Sequence, residues 1–266
     1  MRRGAHEAPP RRGSLVVVGV GITGVPQTTP EAAAFMSRAE QLFYLVLDPL
    51  TAAWIRSLNA TATALDDCYA PGKARRETYQ EITRRITQPV FAGCRVCAAF
   101  YGHPGVLVLP SRAAVRAVRR AGLPAQVVPG ISAEACLYAD LDLDPGTAGV
   151  QSFEATDFLL YRRRFDPTSA LILWQIGVLG DTDTRRAYEP YRADRMAVLV
   201  RRLRRAYPAR HRVALYEAAT FPGAKPVIRR VPLEHLARTP MTPVSTLYVP
   251  ALPPRSPDPR IAAWLA

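Results

Sequence analysis

The residue types and spacing of one segment indicate a shared catalytic role for three side chains: Tyr69, Arg75 and Tyr79. Arg75 and Tyr79 are four residues apart in a predicted helix, so they lie on one face, a turn apart. Tyr69 precedes a Pro71–Gly72 turn that leads into this helix. A phenol that ionises near a guanidinium is a possible base, and a cation with a second phenol can stabilise an anionic oxygen. Spacing alone favours a solvated arginine and a packing tyrosine over a catalytic set.

A glycine motif follows the first predicted strand, Ser14 to Gly19. Its spacing, Gly19-Val-Gly21-Ile-Thr-Gly24, is that of a dinucleotide fingerprint, and Asp48 ends the next predicted strand, where such proteins place a ribose-binding acid. A dinucleotide site needs a helix that starts within the glycines, but Pro26 and Pro30 interrupt it. The motif therefore predicts a longer loop, with a helix that starts at N-cap Thr29, Pro30 and Glu31.

Length and composition set the class of protein. The chain has 266 residues, 48% of them hydrophobic, which is enough for one large or two modest domains without cross-links. Four cysteines are too few for a disulfide framework, which indicates a reducing, cytoplasmic setting. Cys94 and Cys97 form a C-x-x-C pair with no second pair or nearby histidine, so we expect no metal site.

The net charge of +13 comes almost entirely from arginine. The arginine runs are short, separated and not interleaved with aromatic residues, so we expect no nucleic-acid partner. No apolar stretch approaches the length that a membrane helix requires, so we expect no membrane partner.

The order of predicted elements is β-α-β-α, which indicates an α/β protein. We predict four segments: a flexible N-terminus at 1–12, an α/β domain at 13–130, a second α/β domain at 131–250 and a tail at 251–266. The predicted strands are Ser14–Gly19, Gln41–Leu47, Arg95–Phe100, Gln126–Val128, Ser169–Gln175, Arg212–Glu217 and Thr246–Val249; the predicted helices are Thr51–Leu58, Glu77–Ile86, Ser111–Ala121, Ala133–Ala139 and Asp194–Ala206.

Three motifs in chain order carry a family resemblance. They are Val18-Gly-Val-Gly-Ile22, Phe100-Tyr-Gly-His-Pro-Gly105 and Val128-Pro-Gly-Ile-Ser132. Together they resemble the tetrapyrrole methylase superfamily of S-adenosylmethionine (SAM)-dependent, class III methyltransferases. His103 stands where the tetrapyrrole enzymes have an acid, a departure from the pattern of porphyrinoid substrates.

Within this superfamily the chain resembles the borosin-type peptide backbone N-methyltransferases. The resembling stretches, spread over residues 14 to 250, include Phe43-Tyr-Leu-Val-Leu-Asp48-Pro49, Tyr138-Ala-Asp-Leu141, Leu173-Trp-Gln-Ile-Gly177 and Val244-Ser-Thr-Leu-Tyr-Val-Pro250.

The borosin resemblance implies iterative, SAM-dependent methylation of backbone amides in a ribosomally made precursor peptide. It assigns Tyr69, Arg75 and Tyr79 to catalysis, with Tyr79 as the base and the other two on the imidate oxygen. It also implies an interlocked homodimer and a site in the cleft between the two domains. The cofactor residues that it implies are Tyr101, His103, Val106, Ser132 and Ala133 from the first domain, and Gln175, Ala218, Ser245 and Thr246 from the second.

Fungal borosins of this type carry their own substrate as a C-terminal extension. This chain ends soon after the predicted strand that closes at Pro250, so we expect a precursor peptide supplied in trans as a separate chain. The arginines of the second domain would then help to dock an acidic leader. Two alternatives remain open: a methyltransferase of a corrin or porphyrin precursor, and a nucleotide-binding regulatory protein built on the glycine loop.

Overall fold

In a computed structural model the chain divides into two compact units, which we describe separately. The structure describes residues 12–70, 72–181 and 192–266. The first unit runs to Cys136 and also takes in Ala219–Ala224, and the second begins at Leu137. Within the described ranges, no helix is both long and apolar enough to cross a membrane. All of the predicted N-terminal segment except Arg12 lies outside the described residues.

A five-stranded parallel sheet forms the centre of the first unit, in the order β3-β2-β4-β1-β5. Its strands are β1 (Ser14–Gly19), β2 (Gln41–Leu45), β3 (Thr63–Ala64), β4 (Arg95–Phe100) and β5 (Ala125–Val128). The helices are α1 (Pro30–Arg38), α2 (Pro49–Leu58), α3 (Arg75–Phe91) and α4 (Leu109–Arg120), and α5 (Ala133–Leu141) begins in this unit.

Both faces of the central part of this sheet are buried because β1 and β4 are apolar over most of their length. Successive residues of β1 point to opposite faces: Leu15 and Val17 pack in one cluster, and Val18 packs in the other. The first cluster includes Ile82 and Ile86 of α3 and Val115 of α4, and the second includes Met36 of α1 and Ile55 of α2. Because β1 pairs in parallel with both β4 and β5, the carboxyl ends of these three strands lie at one edge of the sheet.

The second unit has a mixed sheet in the order β6-β7-β10-β8-β9. Only β6 and β7 pair in parallel, and the other neighbours are antiparallel. Its strands are β6 (Val150–Glu154), β7 (Ala170–Trp174), β8 (Arg212–Glu217), β9 (Val227–Pro232) and β10 (Thr246–Val249), and its helices are α6 (Pro145–Ala148), α7 (Ala155–Leu160), α8 (Ala193–Leu203) and α9 (Pro259–Leu265). Leu173, Leu199 and Leu247 lie in the buried core of this unit.

The predicted strands in the two sheets are all present, and the predicted helices differ from the observed ones at their ends. Thr29 caps α1 as predicted, with its hydroxyl oxygen accepting from the amide of Ala32 at 3.1 Å. The strand predicted to reach Leu47 ends at Leu45, because Asp48 is already the N-cap of α2. Strands β3, β6 and β9 and the short helices α6, α7 and α9 were not predicted.

Candidate active site

Three glycine turns meet at the carboxyl edge of the first sheet. A β-carbon on Gly19 would lie 2.4 Å from the carbonyl oxygen of Gly102 and 2.8 Å from the Cα of Gly130. One on Gly130 would lie 2.5 Å from the same oxygen. Because L-residues cannot make such contacts, the turns after β1, β4 and β5 pack main chain against main chain. The three sequence motifs therefore form one structural feature.

The glycine loop after β1 is occupied by a side chain of the protein itself. The Oε1 atom of Gln27 accepts hydrogen bonds from the amides of Ile22 at 2.6 Å and Thr23 at 3.1 Å. A β-carbon on Gly21 would lie 2.2 Å from the β-carbon of Gln27. In a dinucleotide fold such amides face a pyrophosphate. Here they face a carboxamide, and the following helix α1 starts only at Pro30, which argues against a dinucleotide cradle.

His103 lies in the turn after β4 with one ring nitrogen engaged. Its Nδ1 accepts from the amide of Gly105 at 2.9 Å, and its carbonyl oxygen accepts from the amide of Val106 at 3.0 Å. The neutral imidazole that fits this contact carries its proton on Nε2, which is then a donor. The next residue after Val106, Leu107, has a φ of 57°, so this turn holds a left-handed conformation that a leucine rarely adopts.

Ser132 and Ala133 lie at the start of α5. The Ser132 hydroxyl oxygen accepts from the amide of Ala135 at 3.2 Å, so this side chain caps the helix. The groups that Ser132 and Ala133 can present to a ligand are therefore mainly the backbone N–H groups of the first helical turn.

The predicted catalytic residues lie together, and Tyr101 joins them. Arg75 is the first residue of α3, Tyr79 follows one turn later, and Tyr101 directly follows β4. Burial raises the pKa of Tyr69 well above its usual range; the Tyr79 and Tyr101 phenols raise it further and Arg75 opposes them. Burial and Tyr79 likewise raise the pKa of Tyr101. These four side chains, which we call the phenol cluster, are close enough to act on one another.

The predicted cofactor residues of the second unit lie along one edge of its sheet. Gln175 directly follows β7, Ala218 directly follows β8, Ser245 directly precedes β10, and Thr246 begins it. In the antiparallel register Thr246 pairs with Tyr216, and the amide of Ile176 donates to the carbonyl of Ser245 at 3.2 Å. Gln175 has a φ of 59°, so a non-glycine residue at a predicted site position holds a left-handed conformation.

The Ser245 hydroxyl is already used within this edge. It accepts from the amide of Thr242 at 2.8 Å and donates to Oε1 of Glu217. The Thr242 hydroxyl donates to the same oxygen at 2.7 Å. Ser245 is buried, and its main chain is engaged as well, because its amide donates to the carbonyl oxygen of Thr242 at 3.0 Å. Glu217, which the sequence analysis did not single out, orders this loop.

The family model for tetrapyrrole (corrin/porphyrin) methylases matches residues 14–237. The chain belongs to this family. The tetrapyrrole methylases are methyltransferases, and the predicted fold class of two α/β units of this type is confirmed.

Curated relatives of this tetrapyrrole methylase include fungal fusions of a methyltransferase to a peptide. It is 37% identical over 259 residues to a methyltransferase/ribosomally synthesized type I borosin cyclic peptide precursor of Coprinopsis marcescibilis, covering 96% of this chain and 66% of that protein. It is 37% identical over 244 residues to the omphalotin A precursor methyltransferase of Omphalotus olearius, covering 90% and 58%. The chain thus spans about three fifths of the length of these relatives.

Solved structures share the fold at lower identity. The uroporphyrin-III-C-methyltransferase of Thermus thermophilus matches with a TM-score of 0.63 and 22% identity, over 90% of this chain and 92% of that chain. The methyltransferase CobJ matches with a TM-score of 0.59 and 17% identity, over 93% and 98%. Both support the tetrapyrrole methylase fold of the chain.

Sequence reasoning missed two contributions to the site. Tyr101 was assigned to the cofactor, yet its electrostatic partner is Tyr79, because the end of β4 lies beside the start of α3. Glu217 was missed because an acid at the end of a strand has no distinctive spacing. The four-residue spacing of Glu81 and Arg85 was a readable signal for the ion pair that these residues form at 2.9 Å.

Proposed function

We propose that this chain is a SAM-dependent methyltransferase that methylates backbone amide nitrogens of a ribosomally made precursor peptide, as the relatives' names describe for those proteins. The phenol cluster of Tyr69, Arg75, Tyr79 and Tyr101 is the observation that carries this proposal. It supplies both kinds of group that amide methylation requires.

Amide methylation requires a base and an oxyanion donor. The lone pair of an amide nitrogen is delocalised into the carbonyl. The nitrogen becomes a nucleophile only when it loses its proton and the carbonyl oxygen takes up negative charge. A base near the nitrogen and donors near the oxygen both lower this barrier.

The environments of the phenols divide these roles. Burial and neighbouring phenols raise the pKa of Tyr69 and of Tyr101, so both keep their protons at neutral pH. We assign Tyr79 as the base, and Arg75 and Tyr69 as donors to the imidate oxygen. An ionised Tyr79 would be stabilised by the guanidinium of Arg75 on the same helix face.

The residues present fit SAM as the methyl donor. The turn after β4 offers Nε2 of His103 as a donor and the start of α5 offers first-turn amides, while the hydroxyls of Ser132 and Ser245 are already used internally. When bound, SAM supplies an electrophilic methyl group. The residues proposed to hold it are Tyr101, His103, Val106, Ser132, Ala133, Gln175, Ala218, Ser245 and Thr246, with His103 donating through Nε2.

The supply of the peptide as a separate chain, iterative methylation and homodimer formation belong to this proposal. The relatives named here combine methyltransferase and precursor in one polypeptide, and the shared region covers 58–66% of their length. A peptide presented separately therefore tests whether this catalytic region accepts substrate in trans.

The direct experiment incubates the purified chain with SAM and separately made peptides that contain a Val/Ile-rich segment. Mass spectrometry should show successive steps of one methyl group, and fragmentation should place them on backbone nitrogens. Tyr79→Phe should lower the rate by about 10²–10⁴-fold, the contribution of a general base. The exposed Tyr161→Phe serves as the control, with unchanged rate.

A corrin or porphyrin precursor is the second candidate substrate. The family description and the structural similarity to a uroporphyrin-III-C-methyltransferase favour testing it. Absorbance spectra of a porphyrinogen incubated with the chain and SAM separate the two. A tetrapyrrole spectral change, with no mass step on any peptide, would replace the peptide proposal.

A further inference from the structure

Charged side chains tie the loop that ends at Tyr69 to helix α3. Arg85 of α3 donates from Nη1 to both carboxylate oxygens of Asp67, each at 2.8 Å. Its Nη2 donates to Oε1 of Glu81, one helical turn earlier, at 2.9 Å. Arg85 therefore joins the loop to the helix two residues before Tyr69.

A second cation completes the connection. Lys73 pairs through Nζ with Oε2 of Glu81, and the same Nζ donates to the carbonyl oxygen of Cys68 at 2.9 Å. Glu81 thus holds one cation on each oxygen, and both cations reach the loop. The peptide group between Cys68 and Tyr69 is itself one of the points of attachment.

We propose that Glu81 is a positioning residue for methyl transfer: by holding Lys73 and Arg85 it fixes Tyr69 against the face of α3 that carries the phenol cluster. This inference rests on the proposed function for its kinetic consequence. Its structural consequence, the placement of Tyr69, does not depend on any substrate.

The ion pairs of Glu81 are less exposed to solvent than ordinary surface ion pairs. The side chains of Glu81, Lys73 and Arg85 are 25%, 23% and 29% exposed. The pair of Arg95 with Glu40, by contrast, has exposures of 64% and 31% and a separation of 3.5 Å. The hydrogen bond from Lys73 holds the pKa of Glu81 below its usual value, so the carboxylate stays charged in the working pH range.

Apolar packing also holds part of this loop. Leu65 and Cys68 are buried in the same cluster as Ile82 and Ile86 of α3. Tyr69 is 40% exposed and is not part of this apolar cluster. The ionic contacts are the ones that reach the backbone at Tyr69, and they can be removed without opening the core.

The first test compares Glu81→Gln with Glu77→Gln. Glu77 lies one turn earlier on α3 and is exposed, so its replacement makes the same change of charge on the same helix. With peptide and SAM as substrates, we expect Glu81→Gln to lower kcat at least about tenfold, with KM for SAM within about twofold of wild type. Glu77→Gln should match wild type in both.

Lys73 provides a rescue test. Lys73→Met removes the cation and should reproduce the loss of kcat seen with Glu81→Gln. Lys73→Arg keeps a cation that reaches both partners and should retain most of the activity. The double variant Lys73→Met/Glu81→Gln should be no slower than either single variant, because residues of one network are not additive.

A substrate-free readout separates this inference from the proposed function. Absorbance at 295 nm follows phenol ionisation in an alkaline titration up to pH of about 11.5. In wild type, partial burial and the neighbouring Tyr79 and Tyr101 phenols raise the pKa of Tyr69. In Glu81→Gln one further tyrosine should ionise near pH 10, and this signal should disappear when Tyr69→Phe is added.

Two results would overturn the inference. One is a Glu81→Gln protein that titrates like Glu77→Gln, with no additional ionising tyrosine. The other is a kcat equal to that of the control while Lys73→Met is also fully active. If wild type methylates no peptide, the proposed function fails, and the titration alone then decides whether Glu81 places Tyr69.

Discussion

Three phenols and one guanidinium meet at the candidate site. Burial raises the pKa of Tyr69, and under the proposed function this side chain is a hydrogen-bond donor rather than the base. Tyr69→Phe should therefore lower kcat by about 10²–10³-fold, the effect of removing one oxyanion donor.

Steady-state kinetics of wild type and Tyr69→Phe, with peptide and SAM as substrates, check this assignment. The exposed Tyr161→Phe serves as the control for a lost hydroxyl elsewhere. A kcat of Tyr69→Phe equal to that of Tyr161→Phe would contradict a role of Tyr69 as an oxyanion donor.

Tyr207 gives a stability prediction that is independent of activity. It is 2% exposed, its hydroxyl has no hydrogen-bond partner within the described part of the chain, and burial raises its pKa to about 12. The folded state thus binds this proton more tightly than the unfolded state, whose tyrosine titrates near 10, so its contribution to stability falls as pH rises from 10 to 12.

We expect Tyr207→Phe to be neutral or stabilising at pH 7, because it removes an unpaired buried hydroxyl. Its advantage over wild type should grow by on the order of 1 kcal/mol by pH 11. Urea unfolding at pH 7 and at pH 11 measures both values. An equal difference between the proteins at the two pH values would contradict the raised pKa.

The residues of the site differ in how far the sequence could predict them. Arg75 and Tyr79 were predictable because a four-residue spacing in a helix defines a shared face. The closeness of Tyr101 to Tyr79 depends on where α3 lies along the sheet relative to β4, a tertiary contact with no local signal. The ion pair of Glu81 with Arg85 was predictable, because its four-residue spacing is helical. The contact of Arg85 with Asp67 was not, because these residues lie 18 positions apart in the chain.

At the scale of elements, the loop between β1 and α1 depends on one side chain. Gln27 is the partner of two loop amides, and Gly24 within the loop has a φ of 72°. Gln27→Ala leaves both amides unpaired and should destabilise the first unit by about 1–3 kcal/mol. Urea unfolding compared with Gln126→Ala, an exposed residue of β5, measures the effect. A loss no greater than that of the control would show that the loop holds its shape without Gln27.

Helix α3 shows why local rules misplace element ends. The pattern predicts a helix over Glu77–Ile86, but α3 runs from Arg75 to Phe91 with Pro89 inside it. A proline usually ends a helix because it lacks an amide proton. Here Val90 is buried in the core, and the amides of Ala92 and Gly93 bond back to Gln88 and Val90, so tertiary packing outweighs one lost hydrogen bond.

Strand β9 was missed for a different reason. It lies at the edge of its sheet and contains Arg229 and Arg230, so it has neither the alternation nor the apolar run that predicts a strand. Its pairing with β8 over six positions is what makes it a strand. Edge strands of this kind depend on their neighbour more than on their own composition.

The net charge of the whole molecule, +13, follows from the sequence alone, but the sequence does not show where the cations lie in the folded chain. In the second unit several arginines are engaged: Arg163 pairs with Asp157, Arg195 with Asp181, and Arg192 with Asp194. Exposed arginines also lie at and just beyond the end of α8, at Arg201, Arg204 and Arg205. In the first unit, α4 exposes Arg112, Arg116 and Arg120.

These two sets allow a matched test of leader docking by the second unit. Changing Arg201, Arg204 and Arg205 together to Gln should weaken binding of an acidic leader peptide by about tenfold, the sum of three exposed charge contacts. Changing Arg112, Arg116 and Arg120 to Gln removes the same charge from the first unit and should have a smaller effect. Fluorescence anisotropy at 50 to 500 mM salt gives both affinities and their salt dependence.

Ionic strength distinguishes docking from general attraction. Because exposed charges are screened within about 8 Å at physiological salt, an affinity that depends on local contacts should fall with salt in wild type and much less in the second-unit variant. Equal losses in both triple variants would indicate that only net charge matters. If the affinity of wild type for the leader peptide did not change with salt, the arginines would have no part in leader recognition. The phenol cluster and the turns of the candidate site would then be the part of the protein that selects the peptide.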